Sequence, residues 1–164
     1  MIAKMRKFRQ YLQHMAKMDE INSRILRELS RDGRLTNLEL AERVGLSPSA
    51  CLRRVQELER SGVIKGYRAV VDAARLGIGF VAYVTVGLNT HTKAAQEAFE
   101  RAVSRAPQVT ECHNITGTVG YLLRVEAEDL AAYKHWHTDV LGVLPQVRSI
   151  TTFVVMGSPK DNRA

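Results

Sequence analysis

The 164-residue chain has two cysteines, one tryptophan and only 6% aromatic residues. Cys51 and Cys112 form no C-x-x-C pair, so neither a disulfide framework nor a thiol-bound metal is expected. No apolar run approaches the roughly 18–20 residues needed to span a bilayer, so no membrane partner is expected. The first seventeen residues contain five Lys/Arg and no acid, but no apolar segment follows, as a secretory signal would require. There is no G-x-x-x-x-G-K-[ST], G-x-G-x-x-G or H-E-x-x-H motif, no internal repeat and no low-complexity tract. These absences point to a cytoplasmic, bacterial-type protein with reduced thiols and no cofactor.

Hydrophobic residues make up 45% and charged residues 25%, a globular balance. The net charge of +7 is unevenly distributed. Residues 1–70 hold 15 Lys/Arg against 8 Asp/Glu, and residues 71–164 hold 9 against 9. All the excess positive charge lies in the first part, which suggests a polyanion partner there. Residues 1–17 are a basic extension, either an arm or a short helix; Met18 offers an alternative start that would place it outside the protein proper.

Three short helices follow. Asp19 is a candidate N-cap, and Ile21, Ile25 and Leu29 recur at helical spacing until Asp32-Gly33. Thr36-Asn37-Leu38-Glu39 is a capping box opening a helix with Leu40, Ala41 and Val44 inward, and Gly45 ends it. Ser47-Pro48 starts the third helix, since serine caps exposed amides and proline suits the first helical position. The small Ala41 permits close helix approach. This is a helix-turn-helix. The following "VIKGYRAVV" offers two β-prone runs around Lys65-Gly66 and predicts a wing hairpin.

The third helix has two unlike faces. At about 100° per residue, Cys51, Val55 and Leu58 share one side and Leu52 flanks it. Ser49, Ala50, Arg53, Glu57 and Arg60 share the other, with Arg54 at its edge. A recognition helix needs one face to seat it and another to reach base edges. Arg53 is the candidate reader of guanine, because its fork matches the O6/N7 acceptor pair. Ser49 lies near the helix start, within reach of a base or phosphate, and Ser47 and Ala50 join this DNA-facing set. Arg54, Arg60, Lys65 and Arg68 are expected on phosphates, which position a protein without reading sequence.

The second half has a different rhythm. Strands are predicted over 80–88, 109–116, 119–127 and 147–156, and helices over 92–106 and 129–144. That order, βαββαβ, is ferredoxin-like. The second helix is predicted to turn Leu130, Tyr133, Val140, Leu141 and Leu144 inward. The strands Phe80–Leu88 and Ile150–Met156 are apolar on both faces, so both faces should be covered. Two helices cover one side of a four-stranded sheet, and a second subunit most simply covers the other.

The reactive side chains give little support to catalysis. Cys51 falls on the packed helix face. Cys112-His113 lacks further ligands at metal spacing, and neighbours on a strand point to opposite faces, so the two cannot act as nucleophile and base. Cys112 is expected in the core or a pocket wall. His135 and His137 are two apart on a helix and cannot share a metal; His137 is expected on the apolar side. No enzyme activity is expected.

The stretch "DGRLTNLELAERVGLSPSACLRRVQELERSGVIKGYRAVVDAARLG" resembles the Lrp/AsnC, or feast/famine, family of transcriptional regulators, and "VTECHNITGTVGYLLRVEAEDLAAY" resembles part of its ligand-binding (RAM) domain. The resemblance covers about residues 18–157, and the run G-L-S-P-x-x-C-x-x-R-V-x-x-L-E is specific in combination. It implies an α+β chain: a winged helix-turn-helix over 18–70, a linker over 71–79, a ferredoxin-like (RAM/ACT-like) domain over 80–157 and a tail over 158–164. It also implies double-stranded operator DNA as partner, homodimers that often build octamers, and amino-acid effectors bound between dimers. The alternative is a metabolite-sensing or protein-interaction module whose basic half is only a docking surface.

The family often shows G-D-x-D-Y, with aspartates near the bound amino acid, where this chain has Gly117-Thr118-Val119-Gly120-Tyr121. By motif position the effector lining is His113, Asn114, Gly117, Thr118, Gly120 and Tyr121. Two carboxylates, the natural partners of an ammonium, are missing. The site either binds an amino acid through Thr118 Oγ and backbone carbonyls, takes a different or larger ligand in the room at Gly120, or binds none and serves only in assembly.

Deleting residues 1–17 should lower the salt slope of DNA binding while leaving the footprinted sequence unchanged, because a basic arm contributes mainly phosphate attraction. Affinity measured across a salt series checks this, and an unchanged slope would contradict it.

Overall fold

The computed structural model describes residues 19–161; the basic extension and the last three residues of the tail lie outside the described residues. The chain divides into two compact units, with the boundary after Ala69.

The first unit holds α1 (Glu20–Arg31), α2 (Asn37–Val44) and α3 (Pro48–Arg60). Each begins at a side-chain cap. Asp19 accepts from the Asn22 amide, Thr36 and Glu39 complete a reciprocal capping box, and Ser47 accepts from the Ala50 amide. Gly45 ends α2 at φ 72°, a left-handed conformation that glycine adopts without a Cβ penalty. Ile25, Leu40, Ala41, Val44, Cys51 and Leu58 form the core between the helices. Truncating one of its large aliphatics would cost roughly 2–5 kcal/mol.

The expected wing hairpin is not formed: residues 63–71 contain no paired strand. The local hydrogen bonds give the reason. Past Gly62 (φ 75°), the Ile64 amide donates back to Leu58 O at 3.0 Å, and Ile64 packs on the helical core. The Tyr67 hydroxyl donates to Glu59 Oε1 at 2.9 Å. Both β-prone runs are thus drawn toward α3 or left exposed, as Val70 and Val71 are. A lone two-stranded hairpin is marginal in water in any case.

The second unit opens with a 3₁₀ turn, Ala74–Leu76, whose amides Asp72 receives. Its sheet comprises β1 (Phe80–Leu88), β2 (Val109–Asn114), β3 (Tyr121–Ala127) and β4 (Val147–Val154) in the order β2-β3-β1-β4, all neighbours antiparallel. Helices α4 (Lys93–Val103) and α5 (Leu130–Trp136) lie on one face. Alternate residues of β1 (Ala82, Val84, Val86) and β3 (Tyr121, Leu123, Val125) pack there against Phe99, Val103, Tyr133, Trp136 and Leu141. Gly79 lies just before β1, where a Cβ would come within 2.7 Å of the Glu128 carbonyl, so only glycine fits.

The second helix departs from expectation. It is α-helical only to Trp136, and residues His137–Leu141 form a π-turn closed by Gly142 N–H on His137 O at 2.8 Å. The extra residue turns Val140 outward, 41% exposed. Ahead of it the stripe also differs: Trp136, absent from the predicted stripe, is 2% exposed, and Leu130 in the first turn is 63% exposed. His137 lies beside the Tyr133 ring, centroids 5.8 Å apart, and is half-buried.

The other sheet face carries Val81, Tyr83 and Thr85 from β1, Leu122, Arg124 and Glu126 from β3, and Thr151 and Phe153 from β4, which the strand registers place side by side. Neither helix of this unit covers it, and Phe153 is 55% exposed.

Candidate DNA interface and effector loop

Helix α3 is held at both ends and along one side. At its start, Asn37 Nδ2 of α2 donates to Pro48 O at 2.8 Å, and the Ser47 and Ser49 hydroxyls lie 3.3 Å apart. Cys51 and Leu58 are buried below. On the outer side Ser49 and Arg53 are exposed and Ala50 is half-buried; among the described residues Arg53 has no ionic partner. Arg60 pairs with Glu57 at 2.5 Å on the surface. Such exposed pairs are worth about 0–1 kcal/mol and yield readily to a phosphate. Lys65 and Arg68 are exposed on the segment that follows α3.

Arg54 is placed differently from the rest of the set. Its Nη1 donates to Asp19 Oδ2 at 2.6 Å and to Asn22 Oδ1 at 3.0 Å, joining α3 to the start of α1. Asp19 therefore caps α1 with one oxygen and binds Arg54 with the other. The Asn22 amide and then the Arg54 guanidinium hold the Asp19 carboxyl below its ordinary range. Nothing local in the sequence links residues 35 apart; the available signal was Asn22, a polar residue on the inward stripe of α1 that needs a partner.

In the second unit the β2–β3 connection, residues 115–120, is closed by Ile115 N–H on Gly120 O at 2.9 Å and tied to β1 by Gly120 N–H on Val86 O at 3.1 Å. Gly117 has φ 136°, a conformation open to glycine, and Thr118 is exposed. Of the six predicted lining residues, the structure brings Asn114 and Tyr121 into contact, with Asn114 Nδ2 donating to the Tyr121 hydroxyl at 3.3 Å. Tyr121, only 1% exposed, packs on Phe99 with ring centroids 4.6 Å apart, and its hydroxyl donates to Glu100 Oε1 at 2.8 Å. Burial first, then the Glu100 carboxylate, push its pKa up to about 12. His113 lies on the opposite sheet face and pairs with Glu111 at 3.3 Å. Cys112 is exposed rather than in the core; partial burial of its sulfur and the Glu100 charge raise its pKa. Glu100 had drawn no attention in the sequence, where nothing joins it to Tyr121 across 21 residues.

A capped helix-turn-helix with a basic outer face and a ferredoxin-like domain with a glycine-bearing loop define a class: a DNA-binding domain joined to a ligand-binding domain. Residues 18–65 match the winged helix-turn-helix DNA-binding family model, and residues 81–164 match that of the Lrp/AsnC ligand binding domain. The leucine-responsive regulatory proteins of Escherichia coli K12 and Salmonella typhimurium LT2 are each 39% identical over 145 residues, covering 88% of this chain and of theirs. A transcriptional regulator of Neisseria meningitidis solved with L-Met superposes with a TM-score of 0.85 at 35% identity, over 88% of this chain and 94% of that one. An AsnC family regulator of Agrobacterium tumefaciens gives 0.83 at 32%, with the same coverage. The chain belongs to the Lrp/AsnC family. It is a DNA-binding transcriptional regulator with a ligand-binding domain, not an enzyme, and the alternative of a mere docking module gives way. Among the described residues no helix is long and apolar enough to cross a membrane.

Asp19→Ala should lower stability by about 1 kcal/mol through loss of the α1 cap. Because folding lowers the Asp19 pKa, wild type should hold its full advantage at neutral pH and lose it as pH falls from 3.8 through the folded value. Urea unfolding of both proteins across that range checks the sign.

Proposed function

We propose that α3 enters the major groove of operator DNA with Ser49, Ala50 and Arg53 toward the base edges. Ser47, Arg60, Lys65 and Arg68 bind phosphates. The observation that carries this reading is the outer face of α3, where exposed Arg53 stands without an ionic partner among the described residues while Cys51 and Leu58 anchor the opposite face. Arg54 sets the helix on its unit through Asp19 and Asn22 rather than serving as a phosphate contact.

The ligand-binding domain takes an amino acid or related small molecule at the 115–120 loop and its neighbours Asn114 and Tyr121. The L-Met bound to the Neisseria relative and the leucine response named for the enterobacterial relatives support an amino-acid effector. His113, on the other sheet face, takes no part from the same subunit. The open face around Tyr83, Leu122 and Phe153 is where a second copy packs, giving a homodimer, and dimers assemble further into octamers as the family resemblance implies. The protein works in the cytoplasm, where its DNA is.

Arg53→Ala should weaken operator binding by roughly 1–3 kcal/mol and relax preference at one base pair, whereas Arg60→Ala should weaken all sequences alike and reduce the salt slope by about 1. Mobility shifts on operator variants separate the two; unchanged affinity and preference in Arg53→Ala would reverse the orientation of α3. Phe153→Asp should shift the full chain to lower mass in sedimentation equilibrium, because a carboxylate buried without a partner is costly. A mass equal to wild type would move the dimer contact elsewhere.

A further inference from the structure

The 115–120 loop itself has no carboxylate: it reads Ile-Thr-Gly-Thr-Val-Gly. A carboxylate nevertheless stands at its neck. Glu100 on α4 is solvent-exposed, and its Oε1 accepts the Tyr121 hydroxyl at 2.8 Å. Tyr121 itself is buried, locked against Phe99, and hydrogen-bonded to Asn114 at the opposite margin of the same loop. The Glu100 carboxylate is therefore oriented by a fixed phenol, while its Oε2 accepts no hydrogen bond among the described residues, its charge being felt by the nearby Cys112 thiol. The hydroxyl gives its one proton to Glu100, and the raised Tyr121 pKa keeps that proton in place at neutral pH. Lys93 and Arg101 of the same helix pair with Glu97, not with Glu100.

We propose that Glu100, held in position by Tyr121, is the carboxylate that binds the ammonium group of an amino-acid effector at this loop. The inference rests on the effector site assigned above and names the charged partner that the loop lacks. A fixed carboxylate with one oxygen available is suited to a charge-assisted hydrogen bond from an ammonium, the strongest polar contact such a site offers. The effector's side chain and carboxyl group then lie toward Thr118 and the loop amides, so the ammonium is the group this chain recognises from α4 rather than from the loop. Tyr121 acts mainly as a positioning residue: its buried ring is fixed against Phe99 and its hydroxyl orients Glu100.

The test is calorimetric titration of the full chain with L-methionine, L-leucine, L-methioninamide and N-acetyl-L-methionine. Glu100→Gln preserves the acceptor oxygen for Tyr121 and removes only the charge. Wild type should bind at least one of the free amino acids, and Glu100→Gln should weaken it about tenfold or more, the range for a hydrogen bond to a charged group. Methioninamide, which keeps the ammonium, should show the same dependence on Glu100, and the N-acetyl compound should bind neither protein. Tyr121→Phe should weaken binding less than Glu100→Gln does. Equal affinity of wild type and Glu100→Gln would overturn the role of Glu100 while leaving the effector site standing. N-acetyl-methionine binding wild type as well as methionine would overturn it without recourse to any variant. Wild type binding neither amino acid would overturn both this inference and the amino-acid reading.

Discussion

The DNA-facing side of this regulator depends on how firmly one helix is seated. The proposed reading of DNA requires α3 to hold Arg53 outward at a fixed angle, and a 13-residue helix cannot do so alone. Two kinds of contact hold it. Cys51 and Leu58 bury one stripe against α1 and α2, and Arg54 reaches across to Asp19 and Asn22. The apolar contact sets the depth of α3, and the ion pair restricts its rotation. A guanidinium bridging a cap carboxylate and a side-chain amide is far more directional than a methyl group in a core. The Asn37 side chain on the Pro48 carbonyl does the same at the helix start. One arginine of the Arg53-Arg54 pair is thereby engaged by α1, and its neighbour stands exposed on the outer face.

The ligand-binding domain follows a parallel logic. Its buried face is completed by two helices, and its Tyr121 is at once a core residue and a strut for an exposed charge. The open face is a mixture of apolar Val81, Leu122 and Phe153 with an Arg124–Glu126 ion pair. Such a surface suits a partner that matches it in both shape and charge, since an unpaired charge would be costly to bury. The second copy proposed above would meet this condition if its own Arg124–Glu126 pair lay against the first across a two-fold axis.

Much of this was legible in the sequence because the signals were local. Caps at Asp19, Thr36 and Ser47, the glycine stop at Gly45 and the apolar stripes of the first three helices depend on neighbours a few residues away, and each appears where the sequence places it. The βαββαβ order was equally readable from alternation. The failures were non-local or depended on backbone choices with weak signatures. The wing was predicted from β propensity, but Ile64 and Tyr67 found partners on α3 instead. The π-turn after Trp136 added one residue to a turn and rotated Val140 outward, which no 3.6-residue template anticipates. The links from Arg54 to Asp19 and Asn22 and from Glu100 to Tyr121 were missed because the partners lie far off in the chain. His113 and Asn114 were grouped by motif, yet strand alternation sends them to opposite faces.

The central claim, that the basic first unit reads DNA sequence through α3, is tested most directly by mobility shift. Full-length protein would be titrated onto the DNA upstream of its own gene and onto scrambled DNA of equal length and composition, over a range of salt concentrations. The account predicts a complex on the upstream DNA that persists at salt where the scrambled complex has dissociated, because base contacts survive the screening that removes phosphate attraction. Equal affinity for the two DNAs at every salt concentration would contradict it and reduce α3 to a nonspecific basic surface.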